Sequence, residues 1–146
     1  MIEKILYIQS PSIYTDFVIT LQPAIDVPYD TKAVYLSLLD FSCRNEIYDP
    51  DTQVYRFSTL FVNSSLSNTT ASVNGKQSNV IDNVIVDEAA VIKHTNFNPI
   101  RLDISSSTIG TVLDAIQFWL TDQNNNLIDN LGAVWRAKLL LEIVPN

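Results

Sequence analysis

Hydrophobic and polar residues alternate with a period of two along most of this chain. From Tyr14 to Gln22, Phe17, Ile19 and Leu21 share one face, while Asp16, Thr20 and Gln22 take the other, the pattern of a half-buried strand. The same alternation is clearest near the end, where Trp135, Ala137, Leu139, Leu141 and Ile143 interleave with Arg136, Lys138 and Glu142. It predicts a long strand with one face inward, Trp135 in the core included. Between Ala33 and Cys43 both faces are apolar, Val34, Leu36 and Leu38 on one and Tyr35, Leu39 and Phe41 on the other. That segment reads as a central strand covered on both sides.

Shorter candidates run over Ile5 to Ile8, Val54 to Phe57, Leu60 to Val62, Thr70 to Val73, Val80 to Val86, Ile100 to Ile104 and Ala115 to Leu120. Turn chemistry separates them: Gln9-Ser10-Pro11-Ser12, Asp26 to Asp30 with Pro28, Tyr48-Asp49-Pro50-Asp51, and Asn74-Gly75, a two-residue hairpin turn whose residues both tolerate positive φ. Glycine is scarce, with 3 in the chain, so other tight turns fall to Asn124-Asn125-Asn126 and Asp129-Asn130-Leu131-Gly132. Closely spaced short strands of this kind predict an all-β sandwich or barrel. Two segments suggest short helices on its rim. Asp87 to Lys93 has room for a turn or two, and Ile109, Val112, Leu113 and Ile116 stand at helical spacing behind a capping run, Ser105-Ser106-Ser107-Thr108.

The chain has 146 residues, 47% of them hydrophobic, enough for one domain that buries roughly 68–70% of its unfolded surface without metals or disulfides. A single cysteine, Cys43, forms no internal disulfide and sits in apolar alternation, as a core residue does. Met1-Ile2-Glu3-Lys4 does not read as a secretory signal, and the most apolar stretch, Trp135 to Val144, carries three charged residues, so no membrane span is expected. The net charge is −7, and Lys4, Lys32, Arg44, Arg56, Lys76, Lys93, Arg101, Arg136 and Lys138 are scattered. Sequence-specific nucleic-acid binding is therefore not expected, since phosphate recognition gathers its cations on one surface.

Candidate chemistry is sparse. His94 is the only histidine, which leaves no His-based triad and no multi-histidine metal site, and it reads as a surface or loop imidazole. Asp49 with Asp51, Asp87 with Glu88, and Asp26 with Asp30 lack the dense oxygen spacing of a calcium loop and read as solvated turn carboxylates. No glycine-rich phosphate loop, zinc-type cysteine pair or nucleophile elbow occurs. No catalytic residue, metal or cofactor is expected, and an enzyme is the class least favoured.

Three segments carry a resemblance. Ile5-Leu6-Tyr7-Ile8-Gln9-Ser10-Pro11-Ser12 with Phe17 to Ile25, then Ala33 to Asn45, then Ala115 to Asp129 with Gly132 and Trp135, stand in an order that resembles the single jelly-roll penton or minor capsid proteins of virophages and polinton-like viruses. The middle, from about Asp51 to Ile104, does not share it. The resemblance implies an all-β, single jelly-roll β-sandwich over residues 1–146, two antiparallel sheets of about eight strands with at most one or two short helices. It also implies a virion component assembled inside the host cell: a penton protein that forms a homopentamer at the capsid vertex and docks to the major capsid protein. Ring assembly joins opposite flanks of neighbouring subunits. The apolar loop residues Ile47, Tyr48, Phe97 and Ile100 are the candidates for such subunit contacts. Alternatives are another minor capsid component, a protein-binding β-sandwich, a carbohydrate-binding module using Trp119 or Trp135 as a stacking platform, and a cupin-like metalloenzyme, which one histidine nearly excludes.

Overall fold

A computed structural model describes residues 1–12, 14–44, 48–49, 54–55, 59–67, 72–73, 76–77, 79–86, 91–128 and 134–146. In chain order the elements are β1 (Ile2–Gln9), β2 (Phe17–Asp26), β3 (Thr31–Arg44), β4 (Tyr48–Asp49), β5 (Val54–Tyr55), β6 (Thr59–Ser64), β7 (Ser72–Val73), β8 (Lys76–Gln77), β9 (Val80–Ile85), β10 (Val91–Thr95), β11 (Leu102–Asp103), α1 (Ser105–Thr108), β12 (Val112–Thr121) and β13 (Trp135–Pro145). One sheet runs β1-β13-β3-β10, with β11 also on β3; the other runs β2-β12-β6-β9. All their pairings are antiparallel. The first and last long strands lie side by side, and β2, β3, β12 and β13 return to alternate sheets. That is the strand order of a jelly-roll sandwich.

The alternating residues dictate the core. Leu139, Leu141 and Ile143 of β13 face Ile116, Phe118 and Leu120 of β12 across the interior, all buried, as two inward faces in register with the pleat require. Trp135 is fully buried, as its phase predicts. Its ring stacks on Phe41 (5.6 Å, 27°) and meets Phe17 edge-on (5.4 Å, 62°). Its Nε1 donates to Thr15 O (3.3 Å), and its backbone N–H to Ser10 Oγ (3.0 Å). The Thr15 hydroxyl in turn donates to Ile128 O.

Two departures from the sequence reading share one cause. In β3, Asp40 pairs with Lys138 and Leu38 with Leu139, so Leu39 is an extra residue opposite the partner strand. This bulge turns Phe41 and Cys43 onto the inner face with Val34, Leu36 and Leu38, where plain alternation places Phe41 on the outer one. Tyr35, Leu39 and Asp40 remain half-buried outside. At the shift between Leu113 and Ala115 of β12, Leu21 to Ala24 of β2 stand against Asp114 alone; Asp114 and Ala115 are both exposed, and Leu113 and Ile116 both turn inward. Their spacing of three is a bulged strand, not a helix.

The Ser105–Thr108 run does not cap a helix; it is itself the one short helix among the described residues, and its Ser105 N–H donates to Asp103 Oδ1 (2.9 Å). Val91 to Lys93, expected in a helix, belongs to β10, paired with Arg44 to Ser42; residues 87–90 lie outside the described ones. Tyr48-Asp49, read as a turn, pairs with Val54-Tyr55. Asn74 and Gly75 also lie outside the described residues, between β7 and β8, where Val73 pairs with Lys76, as do Asp129 to Gly132. The Asn124 to Asn126 turn is present: Asn125 has φ 60°, Asp122 Oδ1 accepts from Asn124 and Asn126 N–H (2.9 Å each), and Thr121 bridges to Leu127.

Candidate functional site

The sandwich has two flanks, and both carry apolar side chains into solvent. On one flank lie the edge strands β1 and β2. Ile5, Leu6, Tyr7 and Ile8 are consecutive and apolar, so whichever way the strand faces it presents apolar groups on both sides; Leu6 and Ile8 enter the core, Ile5 and Tyr7 stay exposed. Between the two strands runs a groove of about 410 Å³, where Ile2, Ile5, Leu6, Leu21, Pro23, Ala24, Ile25 and Ile143 are joined by the polar Lys4, Gln22 and Asp26. Sequence reasoning missed this groove. The four-residue apolar run was the available signal, but only the pairing shows that β1 is an edge.

On the opposite flank lie β9, β10 and the segment joining β10 to β11. Phe97 is 94% exposed, Ile100 60% and Ile85, on β9, 65%. Two of the residues proposed from sequence for subunit contacts, Phe97 and Ile100, thus fall together on this edge of the first sheet. Ile47 lies outside the described residues; Tyr48 is in β4, and its side chain lies outside the description. Asn96 anchors the segment: its N–H donates to Leu39 O (2.8 Å), and its Nδ2 to Leu38 O (3.2 Å) and Asp82 Oδ2 (3.0 Å).

Beneath Asn96, the flank holds a polar cluster. Asp82 is buried on β9, and burial pushes its carboxyl above the usual range, against the opposing effects of the Asn83 N–H (2.8 Å), the nearby His94 and the Asn96 amide. His94 is not a surface or loop imidazole: it lies on β10 opposite Phe41, half-buried, with Nε2 buried and unpartnered. A carboxyl whose folded-state pKa is raised favours the fold in its protonated form. Its contribution is full below the ordinary carboxylate range and is lost as pH rises through the raised value. Thermal melts between pH 4 and 7 should therefore show a loss of stability with rising pH from this group that Asp82→Asn removes. An undiminished pH response in the variant would assign the effect elsewhere.

On the outer face of the first sheet, Lys93, Arg136 and Lys138 line one trough of about 630 Å³ with Tyr7, Asp40 and Thr95. The cations that look scattered in sequence are brought together because β3 sits between β13 and β10. Arg136 donates to Gln9 Oε1 (3.0 Å), and the Lys138 ammonium lies 5.8 Å from the Tyr7 ring. The trough can hold an anionic group through cations on two strands. Further along the face, Arg101 covers the Tyr35 ring at 4.0 Å and pairs with the nearly buried Glu142 (3.1 Å).

Among the described residues no group of three or more His, Cys, Asp or Glu converges as a metal site, and no helix is long and apolar enough to cross a membrane. Asp51 and the Asp87-Glu88 pair lie outside those residues. Trp135, fully buried, is excluded as a stacking platform; Trp119 is half-buried on the outer face of the second sheet, with Phe61 of β6 on the same face.

No protein-family model matches the chain, and no curated protein matches it in sequence. Among solved structures, the VP2 subviral particle of infectious bursal disease virus aligns over 98% of this chain at 10% identity and a TM-score of 0.33. The chain spans 33% of that protein's length. An overlap this low carries no argument about function.

Proposed function

We propose that this chain is a non-catalytic structural protein of a viral capsid: a single jelly-roll subunit that assembles with copies of itself as a vertex pentamer, docks against a major capsid protein, and resides in the virion. The observation that carries this reading is the pair of apolar flanks, Ile2, Ile5 and Val18 on one side and Ile85, Phe97 and Ile100 on the other. A monomer gains nothing from exposing both. A ring built from heterologous contacts covers one with the other in every subunit. The ordered motifs at the two ends of the chain, similar to those of virophage and polinton-like penton proteins, support the same reading.

Native mass measurement tests it. A closed oligomer of five copies, with five-fold symmetry in negative-stain images, is the expected result. A strict monomer at high concentration and near-neutral pH that fails to bind capsomers overturns the proposal.

A second reading, a carbohydrate-binding module, is favoured by Trp119 and Phe61 on the outer face of β12 and β6. Its test is a glycan screen read by tryptophan fluorescence; no change with any glycan removes it.

A further inference from the structure

We infer that the subunit contact is a knob in a groove: the Phe97 ring of one copy seats on the aliphatic side chains of the groove between β1 and β2 of the next. This rests on the homo-oligomeric reading above and deepens it by naming the surfaces and their polarity.

Height along the strands is the first argument. Across the first sheet, Ile2 lies opposite Ile143 and Ile143 opposite Val34; Leu6 lies opposite Leu139 and Leu139 opposite Leu38. The groove therefore stands at the level of Val34 to Leu38. At the far edge of the same sheet, Asn96 N–H bonds Leu39 O and Leu102 lies opposite Leu36, which puts residues 97–101 at that level too. A rotation about an axis along the strands carries knob to groove with no rise; a ring needs this together with a rotation that divides the full turn, whereas a contact with rise winds into a filament.

Chemistry is the second. Phe97 is the most exposed large apolar side chain among the described residues, and the groove opposite offers Ile2, Ile5, Leu6, Leu21, Ile25 and Ile143 beside the polar Lys4, Gln22 and Asp26. Pro23, on the edge strand β2, has no N–H to offer an incoming strand, so this flank favours side-chain docking over strand addition. Charge follows the same polarity. Exposed Glu3, Asp16 and Asp26 stand along the groove flank with Lys4; on the knob flank stand exposed Lys93 and Asp103, with Arg101 already paired to Glu142. In a chain of net charge −7, setting the acidic groove flank against this near-balanced one lowers the repulsion between copies.

The test compares the wild type with Phe97→Asp and Ala24→Arg, both at exposed positions that leave the core intact, and with a Phe97→Cys/Ala24→Cys chain. Each charged variant should weaken assembly by about 30-fold or more per contact, the loss typical of a central aromatic anchor. Circular dichroism melts should match the wild type. Oxidation of the double-cysteine chain should give a covalent ladder ending at the ring size, while Phe97→Cys alone gives none. A wild-type monomer overturns the homo-oligomeric reading and this contact together. An oligomeric wild type whose Phe97→Asp variant still assembles, or whose Phe97→Cys variant crosslinks to itself as a dimer, overturns this contact alone.

Discussion

Trp135→Ala should cost about 3–5 kcal/mol of folding stability, the loss typical of a large buried aromatic reduced to a methyl. Domains of this kind are stable by only about 5–15 kcal/mol, so the variant sits near the edge of folding. The magnitude follows from where the ring lies. Trp135 opens β13, is fully buried, and touches aromatic rings from both sheets, Phe41 of β3 and Phe17 of β2. Removing it opens a cavity between the sheets, and it also leaves Thr15 O without its indole donor inside the protein. Urea unfolding followed by circular dichroism measures the change. Trp135→Phe should recover part of the loss, since it restores a ring between Phe41 and Phe17 but not the hydrogen bond. A midpoint unchanged by Trp135→Ala would mean that the sheets close over the gap.

The contrast between β13 and its neighbours explains how far the fold is legible before the structure is known. Trp135 to Ile143 keeps a strict period of two, and every residue of that phase is buried. Where a strand holds a bulge, the period breaks locally. Leu38 and Phe41 on β3, and Leu113 and Ile116 on β12, are separated by three residues and yet share the inner face. A spacing of three is also the helical one, which is why Ile109, Val112, Leu113 and Ile116 imitate a helix. The bulge depends on the partner strand, and no local pattern announces it. Val91 to Lys93 is the same problem in a shorter form: an edge strand held by pairing with β3, with too few residues to display its period.

The candidate surfaces divide along the same line. Phe97 and Ile100 stand out in sequence because they are the apolar residues of a run that holds Asn96, Asn98, Pro99 and Arg101. The facing groove does not, since Ile2, Leu21 and Ile143 become neighbours only when the first, second and last long strands meet at one flank. The Lys93, Arg136 and Lys138 trough is invisible for that reason too: more than forty residues separate Lys93 from the other two, and the strand between them supplies the proximity.

Cys43 supplies the other large expected effect. Its thiol is buried on the inner face of β3, and desolvation pushes its pKa up to about 12, whereas a free thiol titrates near about 8.5. At pH 8 roughly a quarter of free thiols are thiolate, against about one in 10⁴ at a pKa of about 12, so alkylation of the native protein should be slower by about 10³-fold from ionisation alone. Burial slows it further. Labelling should therefore report unfolding: the rate with iodoacetamide rises to that of a free thiol through the same urea transition that circular dichroism follows. The sign of the linked pH effect is fixed as well. A thiol whose folded pKa is raised contributes stability in full below about 8.5 and loses it as pH climbs towards about 12, because only the unfolded chain ionises in that window. Cys43→Ala should flatten that alkaline decline. Rapid labelling of native protein at pH 8 would place Cys43 at an opening of the sandwich and not in its core.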